Sequence, residues 1–247
     1  MCCMMIWHPK DAEPFTRDEF ADFHQRNPHG FGAAWVGRDA QLYYVKGMAS
    51  VDEAYRHYER ITEGGGRDAL LHWRLRTSGP TGPAQCHPFV ATGQVLVMHN
   101  GILDWRHTAA LSDTQCYVAD VIEPELKKHP RRLNSKKWRR RIYRQIGAGN
   151  KLALWAAGDA RPVIIGEDRG LWYKGRWYSN SYAWTVPMAA RPRYVSPTLA
   201  LAWDADSDQA WGDDAGWLPL PTTWNKQQRE YAKQRAAQRA AVKGGKG

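Results

Sequence analysis

The chain opens Met1-Cys2-Cys3-Met4-Met5-Ile6-Trp7, an uncharged run that reads as a buried first strand. Where that strand begins matters more than where it ends. If Met1 is removed, Cys2 becomes the terminal residue and carries a thiol and a free α-amino group on one Cα. A free thiol titrates near about 8.5 and needs a base at neutral pH; an α-amino group, titrating at about 7.7–8.0, is one. A nucleophile at an N-terminus therefore needs no separate His or Asp, and Cys is small enough for Met1 to be removable. Taken alone, Met-Cys is a weak signal. A cysteine packed into a core strand is the simpler explanation, and a lipidated Cys pair is another. The rest of the chain has to decide.

Composition narrows the field. With 247 residues, 43% of them hydrophobic, the chain is long enough for one sizeable domain or a domain plus a tail. No apolar run reaches the length of a membrane span. His8, Lys10 and Asp11 arrive too soon for a signal peptide, so a cytoplasmic protein without a membrane partner is expected. The cysteines at 2, 3, 86 and 116 show no Cys-x-x-Cys spacing, which leaves a metal site unsupported and a disulfide framework implausible. The net charge of +10 is unevenly spread. Lys127 to Lys151 holds eleven Lys or Arg and no acid, Asp204 to Asp214 holds five Asp and no base, and the chain is basic again from Asn225. Blocks of this kind read as inserted or appended surfaces.

Along the chain, three capping boxes announce helices. Thr16-Arg17-Asp18-Glu19 opens one to about Arg26, Ser50-Val51-Asp52-Glu53 one to about Thr62, and Ser112-Asp113-Thr114-Gln115 one to about Glu123. Strands are expected at Gly30–Val36, Gln41–Lys46, Ala69–Arg76, Val95–Met98, Lys151–Ala156, Pro162–Gly166 and Gly170–Trp177, and a polar helix from 225. Helices cluster between antiparallel-looking strands, which argues for an α+β domain of stacked layers and against a parallel βαβ fold. Neither a phosphate-binding Walker loop nor a dinucleotide fingerprint is present.

Four blocks then fall in one order behind Cys2: His29-Gly30-Phe31-Gly32; Arg74-Leu75-Arg76-Thr77-Ser78-Gly79 with His87-Pro88-Phe89; His99-Asn100-Gly101; and Ser112-Asp113-Thr114-Gln115. Together they resemble a class II glutamine amidotransferase domain, one of the N-terminal-nucleophile hydrolases, over roughly the first half of the chain. The resemblance implies a four-layer αββα sandwich with antiparallel sheets. It implies Cys2 as nucleophile, Asn100 and Gly101 as oxyanion donors, and Arg74, Thr77, Asp113 and His87 on the substrate, L-glutamine. Neither cofactor nor metal is implied. Cys3 stands where the family often has Gly, Ser78 where sugar-linked members often have His, and Gln115 where Glu is usual. The segment from Gly170 to Ser181 resembles the closing strands of stand-alone, often phage-encoded, members.

The residue chemistry agrees. Arg74 offers a planar fork to a carboxylate, Thr77 a hydroxyl, and Asp113 a charge for an ammonium. Asn100 and Gly101 leave a strand where a side-chain amide and a backbone N–H can face one oxyanion. Each residue also has a plain role: a strand-end charge for Arg74, a helix-start acid for Asp113, a turn pair for Asn100-Gly101, and structural histidines at 87 and 99.

The expected organisation is a glutamine amidotransferase domain over 1–195, with the basic insertion at about 127–151, followed by a Trp/Asp-rich extension and basic tail over 196–247. The extension is too short for a synthase, so the ammonia acceptor is expected on a separate enzyme. Two other readings stay open: an amidase of another γ-glutamyl or acyl amide, and a non-catalytic basic adaptor binding nucleic acid through Lys127–Lys151.

Overall fold

The computed structural model describes residues 2–8, 10, 12–66, 68–77 and 81–182, together with the backbone of 218–219. Met1, Ser78, Gly79 and the helix expected from 225 lie outside the described residues, as does all but that backbone pair of the 196–247 extension.

In chain order the first half contains β1 (Cys3–Trp7), α1 (Arg17–Arg26), β2 (Phe31–Val36), β3 (Leu42–Gly47), α2 (Val51–Glu63), β4 (Ala69–Trp73), β5 (Phe89–Ala91) and β6 (Val95–Asn100). The second half contains α3 (Asp113–Tyr117), α4 (Glu123–Lys128), α5 (Lys136–Ile146), β7 (Lys151–Ala156), β8 (Val163–Ile165), β9 (Leu171–Tyr173), β10 (Arg176–Tyr178) and β11 (Leu218–Pro219). One sheet has the order β11-β3-β2-β4-β1-β10-β9 and the other the order β5-β6-β7-β8. Among the described residues every strand pair is antiparallel.

The side chains sort into layers by the period of two along each strand. Cys3, Met5 and Trp7 of β1 turn outward with Phe31, Leu71 and Trp73, and Phe20 and Phe23 of α1 and Tyr58 and Ile61 of α2 cover them. Met4 and Ile6 turn inward with Ala34 and Leu70, and meet Leu96 and Met98 of β6 and Trp155 of β7 from the other sheet. The opposite face of that sheet, through Val97, Leu152 and Leu154, is covered by Tyr117, Ile122, Leu126, Trp138 and Ile142. The result is α–β–β–α, the expected four-layer sandwich. It also explains why β1, β2, β4 and β6 show no polar alternation: each is buried on both faces.

All three capping boxes form as read, with reciprocal bonds at Thr16/Glu19, Ser50/Glu53 and Ser112/Gln115. The helix opened by Ser112 runs past the expected stop at Glu123. A π-turn over Val118–Ile122 joins α3 to α4, and its wider winding admits Pro124 without ending the helix. The run Gly170–Trp177 is a hairpin, not one strand: Lys174 and Gly175 turn at φ 49° and 73° between β9 and β10.

The basic block is built into the outer layer. Ser135 caps α5, whose buried face is Trp138, Ile142 and Ile146. Its positive charges are not all left to repel one another, because Glu125, just before the block, accepts from Trp138 Nε1 at 2.7 Å, Arg132 Nη1 at 3.1 Å and Arg141.

Candidate active site

The inward alternation of β1 and β6 carries two expected site residues to the same layer. Met4 and Ile6 place Cys2 on the inner face of its sheet, and Leu96 and Met98 place Asn100 on the facing one. Cys2 sits just ahead of β1, 9% exposed. Its Sγ donates to Leu75 O at 3.3 Å and accepts from Leu75 N at 3.4 Å. Its own carbonyl accepts from Asn180 Nδ2 at 2.6 Å. Burial pushes the Cys2 thiol up; the Leu75 hydrogen bond and the Arg74 charge pull it back. Cys3 faces the helical side, fully buried, and burial pushes its thiol up to about 12, which marks it as an inert core thiol.

Arg74 follows β4 directly, and its backbone continues the pairing. Arg74 N donates to Gly30 O at 2.8 Å, and Arg74 O accepts from His29 N at 3.0 Å. This places the His29-Gly30 block beside the arginine. The guanidinium is buried, and burial lowers its pKa, while the Cys2, Cys86 and Asp113 charges act the other way. Thr77, three residues on, is exposed.

The facing wall is fixed by its neighbours. Asn100 stands in the β6 ladder opposite Lys151 and is fully buried. Gly101 breaks the strand at φ 138°, and a Cβ there would lie 2.0 Å from Asn150 Oδ1, so only glycine fits. Asn150 Oδ1 accepts from His99 Nε2 at 2.9 Å, and Thr114 Oγ1 holds His99 Nδ1 at 2.8 Å. Asp113 ties the loop after Gly101: its Oδ2 accepts from Leu103 N at 2.9 Å and its Oδ1 from Thr114 N at 2.7 Å. Further along that loop, Trp105 and Arg106 bond Asp120 inside the π-turn.

His87 is buried in the stack His72–His87–Phe89, with ring centroids 4.1 and 4.5 Å apart. A Cβ on Gly32 would lie 1.7 Å from His87 O, so the glycine of the Gly30-Phe31-Gly32 block is what lets this loop close against β2. Burial drives His87 well below the ordinary histidine range and His72 to about 3. Both rings are neutral spacers at physiological pH.

Bonds link several of these residues: Asn180 holds the Cys2 carbonyl, the adjacent Ser179 joins Met4 to the Asn100 amide, and Leu75, next to Arg74, bonds the Cys2 thiol. Asp113 ties the loop after Gly101, His87 packs on His72 and Thr77 is exposed. Two polar residues were not singled out by sequence reading. Ser179 donates its N–H to Met4 O and accepts from Met4 N through its Oγ, each at 2.8 Å, and Asn180 holds the Cys2 carbonyl. The alternation of Trp177 inward and Tyr178 outward was the available signal, since it turns Ser179 inward.

No protein-family model matches the chain, and no curated protein does. Among solved structures it is similar to the glutamine phosphoribosylpyrophosphate amidotransferase of B. subtilis complexed with ADP and GMP, with 15% identity and a TM-score of 0.43. The match covers 72% of this chain and 41% of that one, so the chain spans about two-fifths of that protein's length. At that level the likeness adds nothing to the layers and strand pairing observed directly.

Proposed function

We propose that the chain is a glutamine amidotransferase domain in which Cys2, freed of Met1, hydrolyses the glutamine side-chain amide. The observation that carries this reading is the bonding around the Cys2 strand: Asn180 holds the Cys2 carbonyl, the adjacent Ser179 joins Met4 to the Asn100 amide of the facing sheet, and the Arg74 charge acts on the thiol. In the reaction the α-amine takes the thiol proton as Sγ bonds to the amide carbon, and Asn100 Nδ2 and Gly101 N–H stabilise the oxyanion. The amine returns the proton to nitrogen as the C–N bond breaks and ammonia leaves. Water then cleaves the thioester to glutamate and regenerates the thiol. Arg74 receives the α-carboxylate, Thr77 and Asp113 complete the head-group site, and His87 backs it. Neither metal nor cofactor enters this scheme. The catalytic domain spans 1–195, and a separate enzyme consumes the ammonia. The exposed cations of 127–151 form a docking face for that enzyme or for nucleic acid.

Asp113 gives a specific reason to test a second substrate class. Both its carboxylate oxygens already accept backbone N–H bonds, which favours simple acyl amides without an α-ammonium, whereas γ-glutamyl amides keep the same head group as glutamine. A panel of L-glutamine, γ-glutamyl anilides and simple acyl amides, read by ammonia or amine release from protein of verified intact mass, decides between them. Full activity in a population retaining Met1 would sink the N-terminal mechanism.

A further inference from the structure

Ser179 holds together the two walls of the candidate site. Its N–H donates to Met4 O at 2.8 Å and its Oγ accepts from Met4 N at 2.8 Å, which fixes it to the strand carrying Cys2. The same Oγ lies 2.5 Å from the Asn100 side-chain amide, on the other sheet. All three residues are buried at or near zero exposure.

The hydrogen-bond accounting at this contact is unbalanced as the amide is assigned. Ser179 Oγ would accept from both Met4 N–H and Asn100 Nδ2, while Asn100 Oδ1 stays buried with no hydrogen-bond partner. The oxygen and nitrogen of an asparagine amide are distinguished by their network, not by their shape. A separation of 2.5 Å belongs to the O–H···O range and is short for N–H···O. Turning the amide over accounts for the short separation and gives the serine proton an acceptor: the serine accepts from Met4 N–H and donates its own proton to Asn100 Oδ1. The Cys3 sulfur is the other neighbour within reach of that hydroxyl, but a fully buried thiol that stays protonated is a poor acceptor. Asn100 Nδ2 then occupies the position of the unpartnered atom, a buried donor with no protein acceptor. Such a group is costly in the resting protein and is satisfied when an anion develops beside it.

We infer that Ser179 is a positioning residue, whose hydroxyl holds the Asn100 amide with its N–H2 directed at the oxyanion. This rests on the glutaminase reading of the same site. It predicts that Ser179 affects the step in which charge develops on the amide oxygen, and not the binding of substrate or the reactivity of the thiol. Losing the hydroxyl frees the amide to turn its oxygen toward the oxyanion, a misplacement that costs about 10- to 100-fold in kcat.

The test uses the full chain with Met1 removed and L-glutamine as substrate. Ser179→Ala should lower kcat by about 10- to 100-fold and leave KM within about threefold. The rate at which iodoacetamide alkylates Cys2, followed by intact mass, should not change, because alkylation develops no oxyanion. In an Asn100→Ala background Ser179→Ala should have no further effect. Ser179→Cys keeps the volume with a weak S–H donor and should show a loss of the same kind; it serves if the alanine variant does not fold. An unchanged kcat overturns the inference. So does a parallel fall in alkylation rate, which would mean that Ser179 acts through Met4 on the nucleophile strand, and so does an additive loss in the double variant. Absence of amide hydrolysis by the unsubstituted protein would instead defeat the parent reading.

Discussion

Replacing Ile142 with alanine measures whether the basic segment belongs to the fold or merely decorates it. Ile142 is fully buried in α5, in one cluster with Trp138, Ile146, Val97, Leu152 and Leu154. The substitution removes three carbon groups, a transfer loss of about 2.4 kcal/mol at roughly 0.8 kcal/mol each. The facing strands are tied on both sides by ladder bonds and cannot collapse fully into the space, so a cavity term brings the cost to about 3–4 kcal/mol. For a chain of this size each kcal/mol lowers Tm by about 2–4 °C, giving a fall of roughly 6–16 °C. Arg140→Gln, on the exposed face of the same helix, should move Tm by less than about 2 °C. Thermal melts by circular dichroism read both. An Ile142→Ala protein melting with the unsubstituted one would refute the packing, and with it the conclusion that the cationic residues are carried on a structural layer.

Cys2→Ala should abolish amide hydrolysis with Tm little changed, whereas Cys3→Ala should keep the chemistry; turnover assays on both decide which thiol reacts, and reversed effects would reassign the nucleophile. Arg74→Ala should raise KM for glutamine far more than it lowers kcat, by about 30-fold or more, since a buried charge pair is worth roughly 2–5 kcal/mol; steady-state kinetics with intact KM would remove it from the head-group site. Acid should destabilise the fold early. His72 is held neutral, with its pKa depressed by burial to about 3, and His87 and His99 are shifted in the same direction. Below the unfolded histidine value of about 6.5 the unfolded chain binds protons that the folded chain refuses, so stability falls as pH drops from about 6.5 toward 3, by up to about 1.4 kcal/mol per pH unit for His72 alone. Urea midpoints at pH 7, 6 and 5 read this, and a flat profile would contradict the burial of the rings.

What the sequence made legible was local. Capping boxes depend on residues three apart, and all three form at the residues read, because no distant partner is needed. The ends of elements were less legible where tertiary partners decide them. Asn100-Gly101 reads as a turn pair, yet Asn100 stays in the ladder because β7 supplies Lys151 opposite it. The helix opened by Ser112 reads as ending at about Glu123, yet the π-turn ahead of Pro124 lets it continue. Lys174-Gly175 is not a favoured hairpin pair, so the aromatic run around it looked like one strand. Within the site, chemistry-bearing types in motif order were readable, while Ser179 and Asn180 were not: their importance comes from lying against Met4 and Cys2, some 175 residues away in the chain. The Lys127–Lys151 block was read by its charge, and Trp138, Ile142 and Ile146 at helical spacing were the overlooked sign that one face is core.

The position of β1 in its sheet has a consequence for maturation. β1 is an interior strand, flanked by β4 on one side and β10 on the other. Its second neighbour, at Arg176–Tyr178, emerges from the ribosome long after Cys2 does. At about 5–20 residues per second that interval is roughly 9–35 s. During it the start of the chain has no place in a finished sheet and is open to a methionine aminopeptidase. Once β10 docks and Asn180 closes on the Cys2 carbonyl, the same peptide bond adjoins a buried residue. Under the proposed mechanism activation is thus a race between trimming and sheet closure. Slowing the aminopeptidase while leaving synthesis untouched should yield folded, inert protein that later addition of the peptidase does not rescue.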